Sequence, residues 1–212
     1  MQSTVGVPQP IQARAESTVN AVIAATVRAI EEGGESNVRI DEILVETGIS
    51  KGSLYHHFGG REGLIAAARV VQFSRFIETD AQVIYDSLTA ATSLDEYVAA
   101  ASHLLEVGEG LERQKIRLAR LNTISSSYGR DDLWNALSVQ QHAHTEMIAE
   151  SIRHGQSHGW IRSDLDARAI SVFVQGYALS RILIDLDTDP VPTKDWEAVV
   201  RTALGALFVT PE

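Results

Sequence analysis

The chain has 212 residues, 44% hydrophobic and 22% charged, which is the composition of a folded globular protein. It has no cysteine, no basic-then-apolar leader pattern and no long uncharged apolar run, so we expect a cytoplasmic protein with neither a disulfide framework nor membrane contact. A formal net charge of −10 argues against a nonspecific, nucleoid-type DNA binder but leaves room for a local DNA site.

Proline placement gives the first view of the chain's organisation. All five prolines lie at positions 8, 10, 190, 192 and 211, so residues 11–189 contain no proline to break a helix interior. Within that stretch apolar residues recur at intervals of three and four, which predicts an all-α fold. The polar residues 1–12 are predicted to form a disordered arm. The predicted helices are 14–32, 39–46, 50–57, 61–86, 94–107, 111–121, 131–154, 166–186 and 193–208.

A short helix, a tight turn and a second short helix occupy residues 39–57. Gly48 tolerates the positive φ that ends the first helix, and Ser50 is a favourable N-cap for the second. At about 100° per residue, Leu54 and Phe58 fall on one side of the second helix, and Ile49 can close over the same core. The pattern predicts a helix-turn-helix whose second helix can enter the major groove of DNA.

The opposite side of this second helix carries small and hydrogen-bond-donating side chains and no carboxylate, which suits phosphate oxygens and base edges. A merely solvated helix would look the same, so spacing alone leaves both interpretations open. A metal site is disfavoured, because adjacent helix positions point about 100° apart and His56 and His57 cannot chelate one ion well. The residues on this side and its edges are Lys51, Gly52, Ser53, Tyr55, His56 and His57.

Residues 16–65 resemble the DNA-binding domain of the tetracycline-repressor (TetR) family. An apolar first helix, VNAVIAATVRAIEEGG, precedes IDEILVETGISKGSLYHHFGGREGL, which is similar to that family's hallmark run. The resemblance implies an all-helical, homodimeric transcriptional regulator, usually a repressor, that a small-molecule effector releases from a near-palindromic operator in double-stranded DNA. An N-terminal helix-turn-helix domain would be followed by a larger helical domain for ligand binding and dimerisation. The residues expected at the DNA are Arg39, Ser50, Lys51, Gly52, Ser53, Tyr55, His56, His57 and Arg61.

Two positions depart from the family pattern. Arg39 occupies the place of the usual threonine or serine cap, and Asp41 stands where many members carry a basic or neutral residue. Asp41 would repel a phosphate, so Arg39 is expected to supply the backbone contact of this helix instead. Arg14, in the leading segment, could reach a phosphate or the minor groove.

Residues 70–212 carry no recognisable signature, and in the resembling family this part holds the effector site and the dimer contact. Polar and aromatic residues within apolar helices are the pocket candidates, although each alone is more often exposed or satisfied by a neighbour. The candidates are His103, Leu104, Arg117, Leu121, Asn122, Tyr128, Trp134, His142, Phe173 and Gln175, together with Arg120 and His144.

The resemblance further implies a four-helix dimer interface from the helices near 131–154 and 166–186, with an intrachain bundle as the alternative. His154 and His158 are four residues apart, but Gly155 and Gly159 predict a helix end there, which disfavours a metal site. The predicted division is an arm at 1–12, a DNA-binding domain at 13–60, and an effector-binding and dimerisation domain at 61–212.

The competing hypotheses are a DNA-binding regulator without an effector and, less favoured, a helical enzyme. The chain has no G-x-S-x-G elbow, no P-loop, no H-E-x-x-H and no nucleotide-binding glycine fingerprint. We therefore expect neither catalysis nor a cofactor.

Overall fold

The computed structural model describes the backbone of residues 10–106 and 110–209, and the side chains of these residues except 10–15, 76–81, 103–106 and 112. Within these ranges the regular elements are ten α-helices and one 3₁₀ turn, without a strand, which confirms the predicted all-α fold. The helices are α1 (Pro10–Gly33), α2 (Ile40–Thr47), α3 (Lys51–Phe58), α4 (Arg61–Ala90), α5 (Leu94–Glu106), α6 (Leu111–Ser126), α7 (Asp131–Ser157), α8 (Ala167–Ser180), α9 (Ile182–Leu186) and α10 (Thr193–Gly205).

The first helix starts earlier than predicted. It begins at Pro10, so residues 10–12, expected in the arm, are helical. Proline suits the first position of a helix, because its missing N–H is not needed there and its φ is already helical. Residues 1–9 and the side chain of Arg14 lie outside the described residues.

Two later helices also differ from their predicted bounds. α7 ends at Ser157, between Gly155 and Gly159, slightly later than the predicted bound of 154. Gly155 lies inside the helix, where an added Cβ would lie 3.0 Å from Tyr97 Cζ. The glycine there permits close packing rather than a helix end. The segment predicted as one helix at 166–186 is two, α8 and α9, separated at Arg181. Apolar periodicity continues through that break, so the sequence pattern does not reveal it.

The chain divides into two compact units, Met1–Gln72 and Phe73–Glu212, whereas the sequence placed the boundary after residue 60. The later division has a physical reason in α4. Leu64, Ile65 and Ala68 are fully buried in the core of the first unit, so the opening turns of this helix belong to that unit.

The first unit is built around a small apolar core under its helix-turn-helix. A 3₁₀ turn, Glu35–Asn37, connects α1 to α2. Beside the core, the buried Arg69 pairs with Glu35 at 3.0 Å and donates to Gln72 Oε1 at 3.1 Å. The buried core residues are Val22, Ala25, Val27, Ile30, Val38, Ile43, Ile49, Leu54, Leu64, Ile65 and Ala68.

The second unit has its own core, in which α7 packs along α8. α6 packs against α9, where Arg117 and Asp185 form a buried ion pair at 2.6 Å. The buried core residues are Ile84, Tyr85, Leu88, Ala91, Tyr97, Ile148, Ala149, Ile152, Ile161, Ala167 and Ile170.

One stretch of this unit, residues 167–186, is long and apolar enough to cross a membrane by length and composition, contrary to the expectation from the sequence. Only 17% of its most apolar window is buried within the protein. The stretch contains Arg168, Arg181 and Asp185 and is broken at Arg181, and both features are unfavourable in a bilayer.

Candidate nucleic-acid interface and effector site

The second helix of the helix-turn-helix, α3, is fixed at both ends by local backbone chemistry. Gly48 ends α2 with a φ of 68°, and Gly59 ends α3 with a φ of 71°, conformations that favour glycine. Ser50 Oγ accepts a hydrogen bond from the Ser53 N–H at 3.1 Å, as an N-cap does. The predicted helix, turn and caps are thus present.

The two faces of α3 differ as the sequence predicts. Leu54 is completely buried, and Phe58 packs against the same core together with the buried Ile49. The other face is open: an added Cβ at Gly52 would have no neighbour within 4 Å. Lys51, Gly52, Tyr55, His56 and His57 are exposed, and Ser53 is half-buried.

The start of α4 is pressed against the end of α3. An added Cβ at Gly63 would lie 1.8 Å from the carbonyl oxygen of Phe58, far closer than two non-bonded atoms can approach. At Gly60, whose φ is 136°, a Cβ would lie 3.5 Å from the ring of Tyr55. These glycines allow α4 to support the exposed helix at close range.

Arg61 is directed partly toward the protein. Its Nε donates to the carbonyl oxygen of Val38 at 3.1 Å, and a terminal nitrogen donates to that of Glu35. It also pairs with Glu62 at 2.9 Å. Its guanidinium therefore joins α4 to the 3₁₀ turn, a structural role that the sequence did not suggest.

Several acidic residues of the first unit pair with arginines, whereas the exposed face of α3 carries no acidic residue. Arg39, the N-cap residue of α2, is exposed and lies 3.7 Å from Glu42. Asp41 is exposed on the same helix. Lys51 has no ion pair among the described residues. The ion pairs are Arg28–Glu46, Arg39–Glu42, Arg61–Glu62 and Arg69–Glu35.

In the second unit, a polar cluster surrounds the guanidinium of Arg120 on α6. A terminal nitrogen of Arg120 donates to Gln141 Oε1 at 3.1 Å and to Gln175 Oε1 at 3.4 Å. The guanidinium carbon lies 5.6 Å from the ring centre of Phe73. The cluster brings Gln175, a predicted pocket residue, together with Arg120.

Two aromatic side chains extend this cluster. The rings of Tyr85 and His144 meet edge to face with their centres 6.2 Å apart. Burial and the nearby charge of Arg120 lower the pKa of His144 to about 4, so its ring is neutral near pH 7. Burial also raises the pKa of Tyr177 to about 12 and that of Tyr85 well above its usual value.

Two cavities lie beside the cluster. The first, of about 70 Å³, is lined by Tyr85, Tyr177 and otherwise mostly aliphatic and aromatic side chains such as Ile148 and Val174. The second is a surface groove of about 510 Å³ whose wall includes Phe73 and Gln141. Tyr85 and Tyr177, which the sequence analysis did not select as ligand residues, thus belong to a cavity wall. The sequence signal that could have identified them is a tyrosine on an apolar helix face, because a buried tyrosine hydroxyl needs a hydrogen-bond partner.

The remaining predicted pocket residues have different surroundings. Trp134 and His142 line the surface groove, and Phe173 is half exposed on α8. Tyr128 is 92% exposed and Asn122 is exposed, while Leu121 is half-buried. Arg117 is held by its ion pair with Asp185. The side chains of His103 and Leu104 lie outside the described residues.

His154 and His158 come together at the end of α7, with ring centres 4.4 Å apart. His154 Nε2 already lies 2.8 Å from the carbonyl oxygen of Ala91, and His158 stacks on Trp160 at 4.5 Å. The described residues contain no group of three or more histidine, aspartate or glutamate side chains that could hold a metal ion.

Six large apolar side chains are exposed on α7, α8 and α9. Val172 on α8 is 59% exposed and shares the groove with Trp134 of α7. We call this set the α7–α9 apolar surface. Its exposed residues are Trp134, Val139, Val172, Phe173, Leu183 and Leu186.

Comparison with known proteins agrees with this architecture. Residues 22–68 match the family described as bacterial regulatory proteins, tetR family. No curated protein matches the chain. A TetR-family transcriptional regulator from Pectobacterium atrosepticum has a similar structure, with 20% identity, coverage of 95% of this chain and 99% of that one, and a TM-score of 0.62.

Two further structures are similar. A TetR-family regulator from Cytophaga hutchinsonii shares 16% identity, covering 93% of this chain and 98% of that one, with a TM-score of 0.67. A transcriptional regulator from Saccharomonospora viridis, in complex with choline, shares 16% identity, covering 92% of this chain and all of that one, with a TM-score of 0.63.

The chain therefore combines an N-terminal domain that matches the tetR family with an all-helical fold similar to those of solved transcriptional regulators. The resemblance to the TetR family predicted from the sequence is confirmed for residues 22–68, and the chain as a whole has a fold similar to those of TetR-family regulators.

Proposed function

We propose that this protein is a cytoplasmic, non-enzymatic repressor that binds a near-palindromic DNA operator as a homodimer and leaves it when a small-molecule effector binds. The observation that carries the proposal is the exposed face of α3, which offers Lys51, Ser53, Tyr55 and two histidines without a carboxylate. Donors on a helix of this kind suit phosphates and base edges in the major groove.

We assign the DNA contacts mainly to this face. Gly52 lets the backbone approach the groove, and the exposed Arg39 is placed to reach a phosphate from the start of α2. Ser50 and Arg61 are engaged within the protein, so we propose that they act chiefly by holding α3 and α4 in position. Contacts to phosphates fix orientation, while contacts to bases select the sequence.

Replacing Lys51 by alanine is expected to weaken DNA binding on every sequence tested. The slope of log K against the logarithm of the salt concentration should become less steep by about 1, because one phosphate contact and its released counterion are lost. Fluorescence anisotropy of a labelled operator at several salt concentrations measures both effects. Lys194→Ala, at an exposed lysine on α10, is the control and should leave the slope unchanged. An unchanged slope in Lys51→Ala would remove Lys51 from the interface.

The proposed dimer uses the α7–α9 apolar surface. Six large apolar side chains exposed on adjacent helices form a patch that a soluble monomer rarely leaves uncovered. A two-fold copy offers the same apolar patch in return, and the packed α7–α8 pair would supply a four-helix interface. The apolar stretch 167–186 then meets a protein partner rather than a membrane.

The proposed effector response rests on the polar cluster and on α4. This helix contributes Gly63 to the support of α3 in the first unit and Tyr85 to the cavity wall in the second. A ligand that prefers one arrangement of α4 would therefore change operator affinity. The Saccharomonospora regulator binds choline, which supports a small-molecule ligand for this fold.

The decisive experiment selects an operator from random duplexes with the purified protein and then titrates metabolites with and without that operator. Trp134 and Trp160 lie in the second unit and report ligand binding by fluorescence. Because coupling is reciprocal, an effector must lower the affinity of the protein for the operator by the same factor by which the operator lowers its affinity for the effector. Ligands with equal affinity in both titrations would instead establish a constitutive DNA-binding regulator.

A further inference from the structure

The guanidinium of Arg120, whose Nε is buried, has no counter-ion among the described residues. Among the described residues its hydrogen-bond partners are two neutral amides, Gln141 and Gln175, and its guanidinium carbon lies 5.6 Å from the ring centre of Phe73. Burial lowers its pKa, which reflects the unfavourable desolvation of this charge. Buried charges in proteins are normally paired, so this one is an exception that requires an explanation.

Arg117, three residues earlier on α6, shows the usual solution. It is buried, and Asp185 neutralises it at 2.6 Å. Among the described residues Arg117 thus has a carboxylate partner, whereas Arg120 has none. This contrast indicates that an anionic group from outside the chain neutralises Arg120.

Two buried polar atoms of the cluster lack a hydrogen-bond partner in the described structure, Arg120 Nε and His144 Nδ1. The charge of Arg120 acts on the His144 ring, and both residues interact with Tyr85. A neutral histidine can carry its proton on Nδ1 and donate it. The cluster therefore has two unused donor positions next to a positive charge.

An apolar cavity shares Tyr85 with this cluster. Tyr85 is part of the cluster and also lines the cavity of about 70 Å³, whose other walls include Ile148, Ile170 and Val174. A ligand that fits both regions would carry a compact anionic head and a small apolar body. Phosphate esters are a poorer match, because a dianion would need more donors than one guanidinium and one imidazole supply.

We propose that the second unit binds an organic monocarboxylate, with its carboxylate on Arg120 and His144 and its apolar body in the cavity beside Tyr85. This inference gives the chemical class of the effector and so rests on the proposed ligand response. It separates this chain from the choline-bound Saccharomonospora regulator, since Arg120 repels a cationic ligand.

The test uses the full-length protein and a panel of straight-chain, branched and aromatic monocarboxylates, each compared with its amide and its amine. Thermal unfolding and tryptophan fluorescence measure binding without DNA. Some carboxylates should raise the melting temperature by several degrees at about 1 mM, because ligands that bind only the folded state stabilise it. Their amides and amines should bind at least tenfold more weakly.

Arg120→Met removes the charge and keeps most of the side-chain volume. Carboxylate binding should fall at least tenfold, while the melting temperature of the free protein should stay the same or rise, because an unpaired buried charge is removed. A purely structural arginine would give the opposite result, a loss of stability. Such a loss, with carboxylate preference retained, would overturn the proposal.

Arg117→Met is the matched control on the same helix. It should lower the melting temperature strongly, because Asp185 is left buried without its partner. If that variant does not fold, the double variant Arg117→Met/Asp185→Leu removes both charges and should retain carboxylate binding. Equal binding of carboxylate, amide and amine by the wild type, or no binding by any carboxylate of the panel, contradicts the inference.

The outcome is independent of the operator experiment. A carboxylate that binds through Arg120 but leaves DNA affinity unchanged would support this site and overturn the proposed release mechanism. An amine or another cation that releases the operator would support release and overturn the carboxylate assignment.

Discussion

Gly63→Ala is expected to destabilise the first unit by about 3 kcal/mol or more, at the upper end of the usual cost of overpacking. The added Cβ would lie 1.8 Å from the Phe58 carbonyl oxygen, which belongs to the backbone and cannot rotate away. Relief requires α4 to move from the end of α3, and Leu64 and Ile65 must then leave their buried positions. Urea unfolding followed by circular dichroism measures the loss, and DNA binding should be lost with it.

Gly52→Ala is the matched control. Both glycines are helical, but an added Cβ at Gly52 meets no atom within 4 Å. Alanine should stabilise α3 by up to about 1 kcal/mol through its helix propensity. DNA affinity should nevertheless fall, because the added methyl group keeps the backbone of α3 from approaching the groove as closely. A Gly63→Ala protein as stable as the wild type would show that α3 and α4 are packed less closely than described.

Val172→Asp is expected to convert the protein to a monomer and to reduce operator binding at least a hundredfold. In the single chain Val172 is 59% exposed, so the carboxylate remains solvated and the fold is unaffected. At a two-fold interface it would be buried without a partner, next to the same charge from the other copy. Analytical ultracentrifugation gives the oligomeric state and anisotropy gives the operator affinity.

The control for this variant is Val199→Asp. Val199 is 64% exposed on α10, outside the α7–α9 apolar surface. The substitution therefore makes the same change as Val172→Asp, from an exposed valine to a carboxylate, at a different place. This variant should remain dimeric and should bind the operator normally. A Val172→Asp protein that is still a dimer would place the interface elsewhere.

Local chemistry explains what could be predicted from the sequence. The caps at Gly48 and Ser50 and the buried Leu54 depend on residues only a few positions apart, and all are present as predicted. The inward bonds of Arg61 depend on carbonyl groups 23 and 26 residues away, at Val38 and Glu35, and no local pattern contains them.

The proposed ligand site was also less predictable, because its contacts join residues far apart in the sequence. Gln175 and the neighbouring Arg120 were identified as polar residues in apolar helices, but their contact spans 55 residues. Tyr128 was selected by the same sequence criterion, yet its side chain lies on the surface. Composition and periodicity cannot separate these cases, because burial of a polar side chain depends on which other helices cover it.

The architecture of α3 also separates the maintenance of the fold from the choice of DNA sequence. Leu54 is the one residue of this eight-residue helix that is fully buried, and its caps are supplied by positions 48, 50 and 59. If α3 binds DNA as proposed, substitutions at Gly52, His56 and His57 change which bases are read while the core stays intact. Operator preference can therefore diverge quickly between related chains, and it can be redesigned by exchanging a few surface side chains without a compensating change elsewhere.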